Sequence, residues 1–396
     1  MTWRGAAALL ILIGVLALAL STGGRTVYFI LLFLAVFVLF CLVSVLISLF
    51  SAKCRPELTD ACVMRGNAQQ LTVRIGGFRL LPVMARFRVD MPEGLCRLSA
   101  PVFSLVLQPG KKPREVTIDL PCAHRGKWHI GIGPVSVVDL FGLFSFRLSS
   151  KAFGPDRFDV TVYPRVYDMD AADEALSLQS DSFRPDDRMV DSGDSYAGIR
   201  EYLPGDSMRR VHWVQTARTR QIQTRQYDAN TEQYGLLLVD MSVNREQQRY
   251  DYADYASEVA AMMSQYYLSA GLSMRMHTVG RVEEDIYAND MSGYDDIYDF
   301  LTGVEFGCED GPCPTPPSLI DEATSLRIMT VVTARPDVSL KNIVEKLQAR
   351  RCRVTCFVTD TPEGRGFEAA CQGRDVRIIV TDDIGAYLQA QGGMPV

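Results

Sequence analysis

The chain has 396 residues, 47% of them hydrophobic and 22% charged, with 41 Lys and Arg against 47 Asp and Glu and a formal net charge of −6. That composition excludes a disordered chain, which would lack the apolar content, and a polytopic transporter, which would have far more of it. A pI near 5.4 argues against a strongly basic nucleic-acid binder, and the length suggests two soluble domains plus something smaller.

The smaller part is residues 1–50, which carry Arg4 and Arg25 and no acid. Gly5 to Leu20 is apolar or small, Ser21-Thr22-Gly23-Gly24-Arg25 interrupts, and Thr26 to Phe50 is apolar again. A helix needs about 20 apolar residues to cross the hydrocarbon core. The second run meets that length, and the first borrows Trp3 or the turn residues. A cleaved signal peptide would also begin with a basic residue and an apolar stretch, but the second run would still anchor the chain. The expectation is a two-helix transmembrane hairpin. Arg4 precedes it and Lys53, Arg55 and Arg65 follow it, so the positive-inside rule puts both ends, and the soluble domains, in the cytoplasm. The ten cysteines show no framework spacing and no Asn begins an N-x-Ser/Thr sequon, which fits a reducing compartment.

Residues 51–165 read as an all-β, sandwich-like domain. Leu71 to Ile75, Ala85 to Val89 and Glu115 to Leu120 alternate polar and apolar, and Gly76-Gly77, Pro92, Pro109-Gly110, Pro121 and Gly131 to Pro134 punctuate them. Residues 166–232 begin with an acidic, turn-rich linker, nine acids against Arg184 and Arg188 over 166–198. Residues 233–396 read as a doubly wound α/β domain. Tyr234 to Val239 is an apolar run ending in Asp240, as a buried parallel strand would. Tyr252, Tyr255, Val259, Met262 and Tyr266 mark the core face of a helix, with Asp251, Asp254 and Glu258 expected on the other face. Further strands are expected at Leu272–Val279, Leu326–Val332, Arg353–Val358 and Val376–Val380. Helices are expected at Tyr294–Thr302, Val338–Arg350 and near the C-terminus.

The charge divides along the chain: +2 over residues 1–50, +8 over 51–165 and −16 over 166–396. A basic domain directly after an inward-ending helix suits an anionic leaflet, each nearby Lys or Arg contributing on the order of 1 kcal/mol. Inside the acidic half lies a basic island. Arg200, Arg209, Arg210, Arg218, Arg220 and Arg225 stand against Glu201 and Asp206. Pro204-Gly205-Asp206 is a turn, and arginine's planar fork suits bidentate pairing with Glu201, Asp206 or a partner's acids.

The run Arg200-Glu201-Tyr202-Leu203-Pro204-Gly205-Asp206, then Arg209-Arg210-Val211-His212-Trp213 and Ala217-Arg218, resembles the central signature of the bacterial domain-of-unknown-function 58 family. Arg125-Gly126-Lys127-Trp128, Asp139-Leu140-Phe141-Gly142-Leu143-Phe144 and Tyr163-Pro164 are similar to that family's upstream motifs. Leu140 stands where Pro is common, and His212 and Val214 where Asp and Lys are more usual. The resemblance implies a membrane-anchored protein with a von Willebrand factor A-like domain. It also implies a MoxR-type AAA+ ATPase as partner, in the assembly or maturation of other complexes.

A von Willebrand A domain can hold Mg²⁺ through D-x-S-x-S, a distant Thr and an Asp after a later strand, hard oxygen ligands that suit the ion. Here Asp240, Ser242 and Asn244 form the first part, Thr302 is the one candidate for the distant Thr, and the later strand ends Val332-Thr333-Ala334-Arg335. Ala334 supplies no ligand and Arg335 adds a positive charge, so the expected metal site is degenerate and no cofactor is required.

Cys308-x₄-Cys313 lacks a second pair for zinc, and Cys352 and Cys356 read as buried small hydrophobes. There is no phosphate-binding loop and no G-x-S-x-G elbow. Three functions compete. The first is a non-enzymatic scaffold that docks a cytoplasmic partner through Arg200, Glu201, Asp206, Arg210, Trp213 and Arg218. The second is a Mg²⁺-dependent adhesion module. The third is an enzyme using Glu201, Asp206 and His212 for acid–base chemistry. For the signature arginines, an internal salt-bridge lock competes with docking, and burial discriminates the two. The scaffold accounts best for the sequence.

Overall fold

The computed structural model describes residues 3–77, 79–92, 94–95, 102–148, 156–167, 196–201, 216, 218, 221–227, 234–245, 248–313, 328–349, 352–371 and 376–390; for residues 196–201, 224–227 and 234 it describes the backbone. The chain divides into two compact units, Met1–Tyr163 and Pro164–Val396.

The first unit opens with two helices, α1 (Trp3–Thr22) and α2 (Arg25–Ser51), joined at Gly23-Gly24. Both are long and apolar enough to cross a membrane. Phe29, Phe33 and Leu10 on them are 71%, 73% and 68% exposed. One stripe of α2 differs. Cys41, Ser44, Val45 and Ser48 are buried, and Val45 joins the core of the strands that follow.

Those strands are β1 (Lys53–Leu58), β2 (Cys62–Met64), β3 (Ala68–Gly76), β4 (Val83–Asp90), β5 (Val102–Leu107), β6 (Arg114–Pro121), β7 (Gly126–Ile132), β8 (Ser136–Asp139), β9 (Ser145–Arg147) and β10 (Arg157–Tyr163). One sheet runs β1-β3-β6. The other runs β2-β10-β7-β4-β8-β9, with β5 also on β4. The alternation expected from the sequence is the alternation of burial. Leu71, Val73 and Ile75 of β3 and Val83, Ala85, Phe87 and Val89 of β4 point into one shared cluster with Ile130, Val160 and Val162. Among the described residues between Lys53 and Tyr163 there is no helix.

The second unit begins with an antiparallel pair, β11 (Tyr196–Glu201) and β12 (Gln223–Tyr227). It continues with β13 (Tyr234–Asp240), β14 (Ser242–Val243), α3 (Arg249–Ser269), β15 (Ser273–Val279), β16 (Asp285–Ala288), α4 (Tyr294–Gly303) and β17 (Gly307–Cys308). The rest is β18 (Ile328–Thr333), α5 (Val338–Ala349), β19 (Arg353–Val358), α6 (Pro362–Cys371), β20 (Val376–Val380) and α7 (Ile384–Ala390). Its main sheet has the order β16-β15-β13-β18-β19-β20. Every pairing in it is parallel except that of the edge strand β16. Leu237 and Val239 face a cluster that includes most of α3, while Leu236 and Leu238 face another that includes Leu340, Val344 and Phe367 of α5 and α6. Both faces of the sheet are therefore covered, which is why β18 is buried at every residue, Thr330 and Thr333 included.

One expectation about α3 fails. Asp251 is exposed, but Asp254 and Glu258 are each 1% exposed. The face is covered by the segment that enters the unit. The Tyr167 hydroxyl donates to Glu258 Oε2 at 2.6 Å and the Arg165 N–H to Oε1 at 3.3 Å. The Tyr298 hydroxyl of α4 donates to the Pro164 carbonyl at 2.7 Å. Burial, then the charge of Glu258, pushes the Tyr167 phenol well above its usual range, so it stays a donor.

Candidate functional site

The main sheet reverses direction at β13. The chain moves from β13 outward to β15 and β16, then returns to the other side of β13 for β18, β19 and β20. In open α/β sheets the crevice beyond the carboxyl ends of the strands at such a reversal is where ligands bind. Asp240 ends β13 and Thr333 ends β18, with Arg335 two residues on. The three meet there.

The Asp240 carboxylate is wholly buried and the Arg335 side chain is 2% exposed. Arg335 Nη2 donates to Asp240 Oδ1 at 2.7 Å and Nε to Oδ2 at 3.0 Å, a bidentate fork. The Thr333 hydroxyl donates to Oδ2 at 2.9 Å and the Ser242 N–H to Oδ1 at 3.2 Å. A carboxylate offers about four lone-pair sites, and four donors fill them. Burial pushes the Asp240 carboxyl up, with Arg335 and the other donors pulling against it. Burial also works against the Arg335 charge, but the hydrogen bonds and charge of Asp240 outweigh it and hold the guanidinium above its ordinary value.

Neighbouring groups reinforce the pair. Arg335 Nη1 donates to the Glu309 carbonyl at 3.0 Å, and the Cys313 N–H donates to the Arg335 carbonyl at 3.1 Å. The Asn244 amide, oriented to satisfy its neighbours, donates to the carbonyls of Glu309 and Gly311, each at 3.2 Å. The Ser242 hydroxyl accepts the Arg281 N–H at 3.1 Å. Gly280 is required here. Its φ is +95°, and a Cβ would stand 2.5 Å from Ser242 Oγ.

Asp240 and Ser242 are thus brought together, as the sequence pattern suggests, but around an arginine. Asn244 is turned to the 309–311 loop. Mg²⁺ needs oxygen ligands with open lone pairs in an octahedral shell; Asp240 has none open, and a fixed positive charge already lies on it. The donor set does not fit the ion. Thr302 gives its hydroxyl to the Tyr298 carbonyl within α4 at 2.7 Å. Among the described residues no group of three His, Cys, Asp or Glu could hold a metal. In the sequence Arg335 reads only as a nearby charge; the structure makes it the partner of Asp240. The local signal is an Arg two residues after a strand-ending Thr, next to Ala334, which stands where metal-binding domains carry an acid.

The signature residues are partly described. The ladder sets Arg200 opposite Thr224 and Glu201 opposite Gln223. Arg218 is exposed, and the Gln223 N–H donates to the Thr216 hydroxyl at 3.0 Å. Asp206, Arg210, His212 and Trp213 lie outside the described residues.

Of the upstream motifs, Gly126-Lys127-Trp128 opens β7, Tyr163 ends β10 and Asp139 to Phe144 forms the β8–β9 turn. Trp128 Nε1 donates to the His124 carbonyl at 3.2 Å. Asp139, 4% exposed, accepts the N–H of Phe141 on Oδ2 at 3.0 Å and that of Phe144 on Oδ1 at 2.6 Å, capping the β8–β9 turn from within. Cys352 and Cys356 lie in the core, where burial pushes each thiol up to about 12. Such thiols are packing groups, unreactive at neutral pH.

Comparison with known proteins places this geometry in context. No curated protein matches the chain. Among solved structures, the CARDB domain of a Pyrococcus furiosus protein aligns at 15% identity over 28% of this chain and 91% of its own, with a TM-score of 0.21. The C-terminal domain of wzt aligns at 12% identity over 29% of this chain and 75% of its own, also at 0.21. Over residues 198–281, from the signature through β15, the chain matches the family model described as "Protein of unknown function DUF58", and this match supports the family that the signature resembles.

Proposed function

We propose that the protein is a membrane-tethered, non-enzymatic adaptor whose α/β domain works without a metal. The observation that carries this reading is the saturated carboxylate of Asp240. At the sheet reversal the group that would be a metal ligand or a catalytic acid has all its lone pairs engaged by Arg335, Thr333 and Ser242. The alternative of a Mg²⁺-dependent adhesion module is disfavoured by the same four hydrogen bonds. Strand order, parallel pairing and helices over both faces support a doubly wound, von Willebrand factor A-like reading of the second unit. Two sheets enclosing one buried cluster support a sandwich-like reading of the first.

The anchor is read as two membrane passes, α1 and α2, with both ends cytoplasmic, from their length and the basic flanks Arg4, Lys53 and Arg55. The partner, by family resemblance, is a MoxR-type AAA+ ATPase. The docking surface is the arginine segment: Arg200, Arg210 and Arg218 with Trp213, oriented by Glu201 and Asp206. Arginine and tryptophan are the residue types that concentrate binding energy at interfaces.

The test is capture of the purified ATPase by the full-length chain in detergent. Arg210→Ala and Arg218→Ala are each expected to lower capture at least five-fold, with the folded state checked by circular dichroism. Unchanged capture by folded variants would remove the docking role of the arginines.

A further inference from the structure

The turn between β8 and β9 leads to a membrane contact that neither the helices nor the charge pattern requires. Asp139 fixes the turn by accepting two backbone N–H groups, and the Gly142 N–H returns to the Asp139 carbonyl at 3.0 Å. Gly142 takes a φ of +73°, which suits glycine. The turn so built leaves Leu140 and Phe141 at its tip, each 49% exposed. Two adjacent large apolar side chains held outward by a buried aspartate are not the product of a loose loop.

Two contacts fix the height of that tip along the helices. Phe141 meets Phe37 of α2 edge to face, ring centroids 5.0 Å apart. At about 1.5 Å rise per residue, Phe37 lies roughly 18 Å from Arg25 and roughly 21 Å from Ser51. A hydrocarbon core of about 30 Å, measured from Arg25, reaches to about Ser44. The last two turns of α2, where Val45 and Ser48 are buried, lie beyond it, and Phe37 lies well within it. The first helix gives the level independently. Arg4, at the end of α1 remote from the Gly23-Gly24 turn, stands beside the β8–β9 turn, since a Cβ on Gly142 would lie 3.5 Å from Arg4 Nη1. An arginine at a helix end sits at the headgroups. The turn therefore straddles that level, with Gly142 beside Arg4 and Phe141 further in, against Phe37.

We propose that Leu140 and Phe141 insert into the acyl chains of the leaflet from which α2 emerges, making the β8–β9 turn a third membrane contact. The lipid covers what the fold leaves open. The proposal rests on the reading of α1 and α2 as membrane spans. Its consequence is that the first unit is held to the bilayer at two places, the end of α2 and this tip, so it cannot swing about a single tether.

The experiment replaces Phe141 or, separately, Phe33 with photoreactive p-benzoylphenylalanine in the full chain, in nanodiscs of phosphatidylethanolamine and phosphatidylglycerol. Phe33 is 73% exposed on α2 and reports the span itself. Irradiation followed by mass spectrometry is expected to give lipid adducts at both positions, with yields within about three-fold of each other. Adducts at position 33 with none at 141 would overturn the proposal and leave the span intact. No adduct at 33 would overturn the span and the proposal together.

Discussion

Replacing Arg335 with Met is expected to cost the second unit about 3–5 kcal/mol, because it leaves the Asp240 carboxylate buried with its counter-charge gone. Asp240 is 0% exposed and cannot turn to water. The variant also takes from the carbonyl of Glu309 one of its two donors, the Arg335 bond at 3.0 Å, leaving that from Asn244. Three comparisons separate charge from shape. Arg335→Lys keeps the charge but loses the fork, so it is expected to fall between wild type and Arg335→Met. Asp240→Asn alone unpairs the guanidinium and is costly. The double variant Asp240→Asn with Arg335→Met removes both charges and is expected to be less damaging than Arg335→Met alone, because neither partner is left unpaired. Hydrogen exchange of the β13 and β18 amides in the full chain reads the effect where it arises. Protection within about 1 kcal/mol of wild type in Arg335→Met would mean that the pair does not hold the two strand ends together.

Replacing Asp139 with Ala is the second large expected effect, about 2–3 kcal/mol. The carboxylate accepts two backbone N–H groups at 3.0 and 2.6 Å from a buried position, and hydrogen bonds to a charged group are worth about 1.5–3 kcal/mol each. The sum is reduced because the backbone bonds of the turn, Asp139 N–H to the Phe144 carbonyl at 3.2 Å and Gly142 N–H to the Asp139 carbonyl at 3.0 Å, remain. Thermal unfolding of the full chain in detergent, followed through Trp128 of the same unit, measures the loss. The variant also has a positional readout. Without its internal cap the turn no longer presents Phe141 toward Phe37, so lipid adducts from position 141 are expected to fall while those from position 33 persist. A wild-type transition in Asp139→Ala would show that the strands alone hold the turn.

What the sequence made legible follows from which forces act locally. The parallel strands are legible to within one or two residues, since strands covered on both faces are rich in apolar residues; β18, expected at Leu326–Val332, is found at Ile328–Thr333. The alternation of β3 and β4 is legible because each has one buried face. The α6 helix was not anticipated because Gly364 and Gly366 interrupt its period, and helix propensity is weak evidence against two glycines. The edge strand β16 is four residues long and polar at its start, too short to show a period.

Glu258 was assigned to water because a charge on a helix face reads as solvated. The Tyr167 hydroxyl and Arg165 N–H that cover it come from more than ninety residues earlier. The ladder between Arg200 and Thr224 is likewise non-local and has no local signature. The same distinction governs the candidate site. Asp240, Ser242 and Asn244 were visible as a pattern because they are consecutive alternate residues. The partner that decides their chemistry, Arg335, lies 95 residues away and became visible only when β13 and β18 were paired.

The membrane tip was half visible. The D-L-F-G-L-F motif is legible through its resemblance, whereas the exposure of Leu140 and Phe141 follows only from the capped turn. The three features form one account of an anchored protein. In the proposed reading the helices are the tether and the tip of the β8–β9 turn fixes the first unit to the leaflet, while in the second unit Arg335 occupies the carboxylate of Asp240.

The most direct test of that account is calorimetric titration of the full chain, in detergent micelles, with Mg²⁺ and with Mn²⁺. With Arg335 on both oxygens of Asp240, the account predicts no saturable heat from wild type with either ion. Saturable binding that disappears in Asp240→Ala would contradict it, and would return the sheet reversal to the metal-dependent reading.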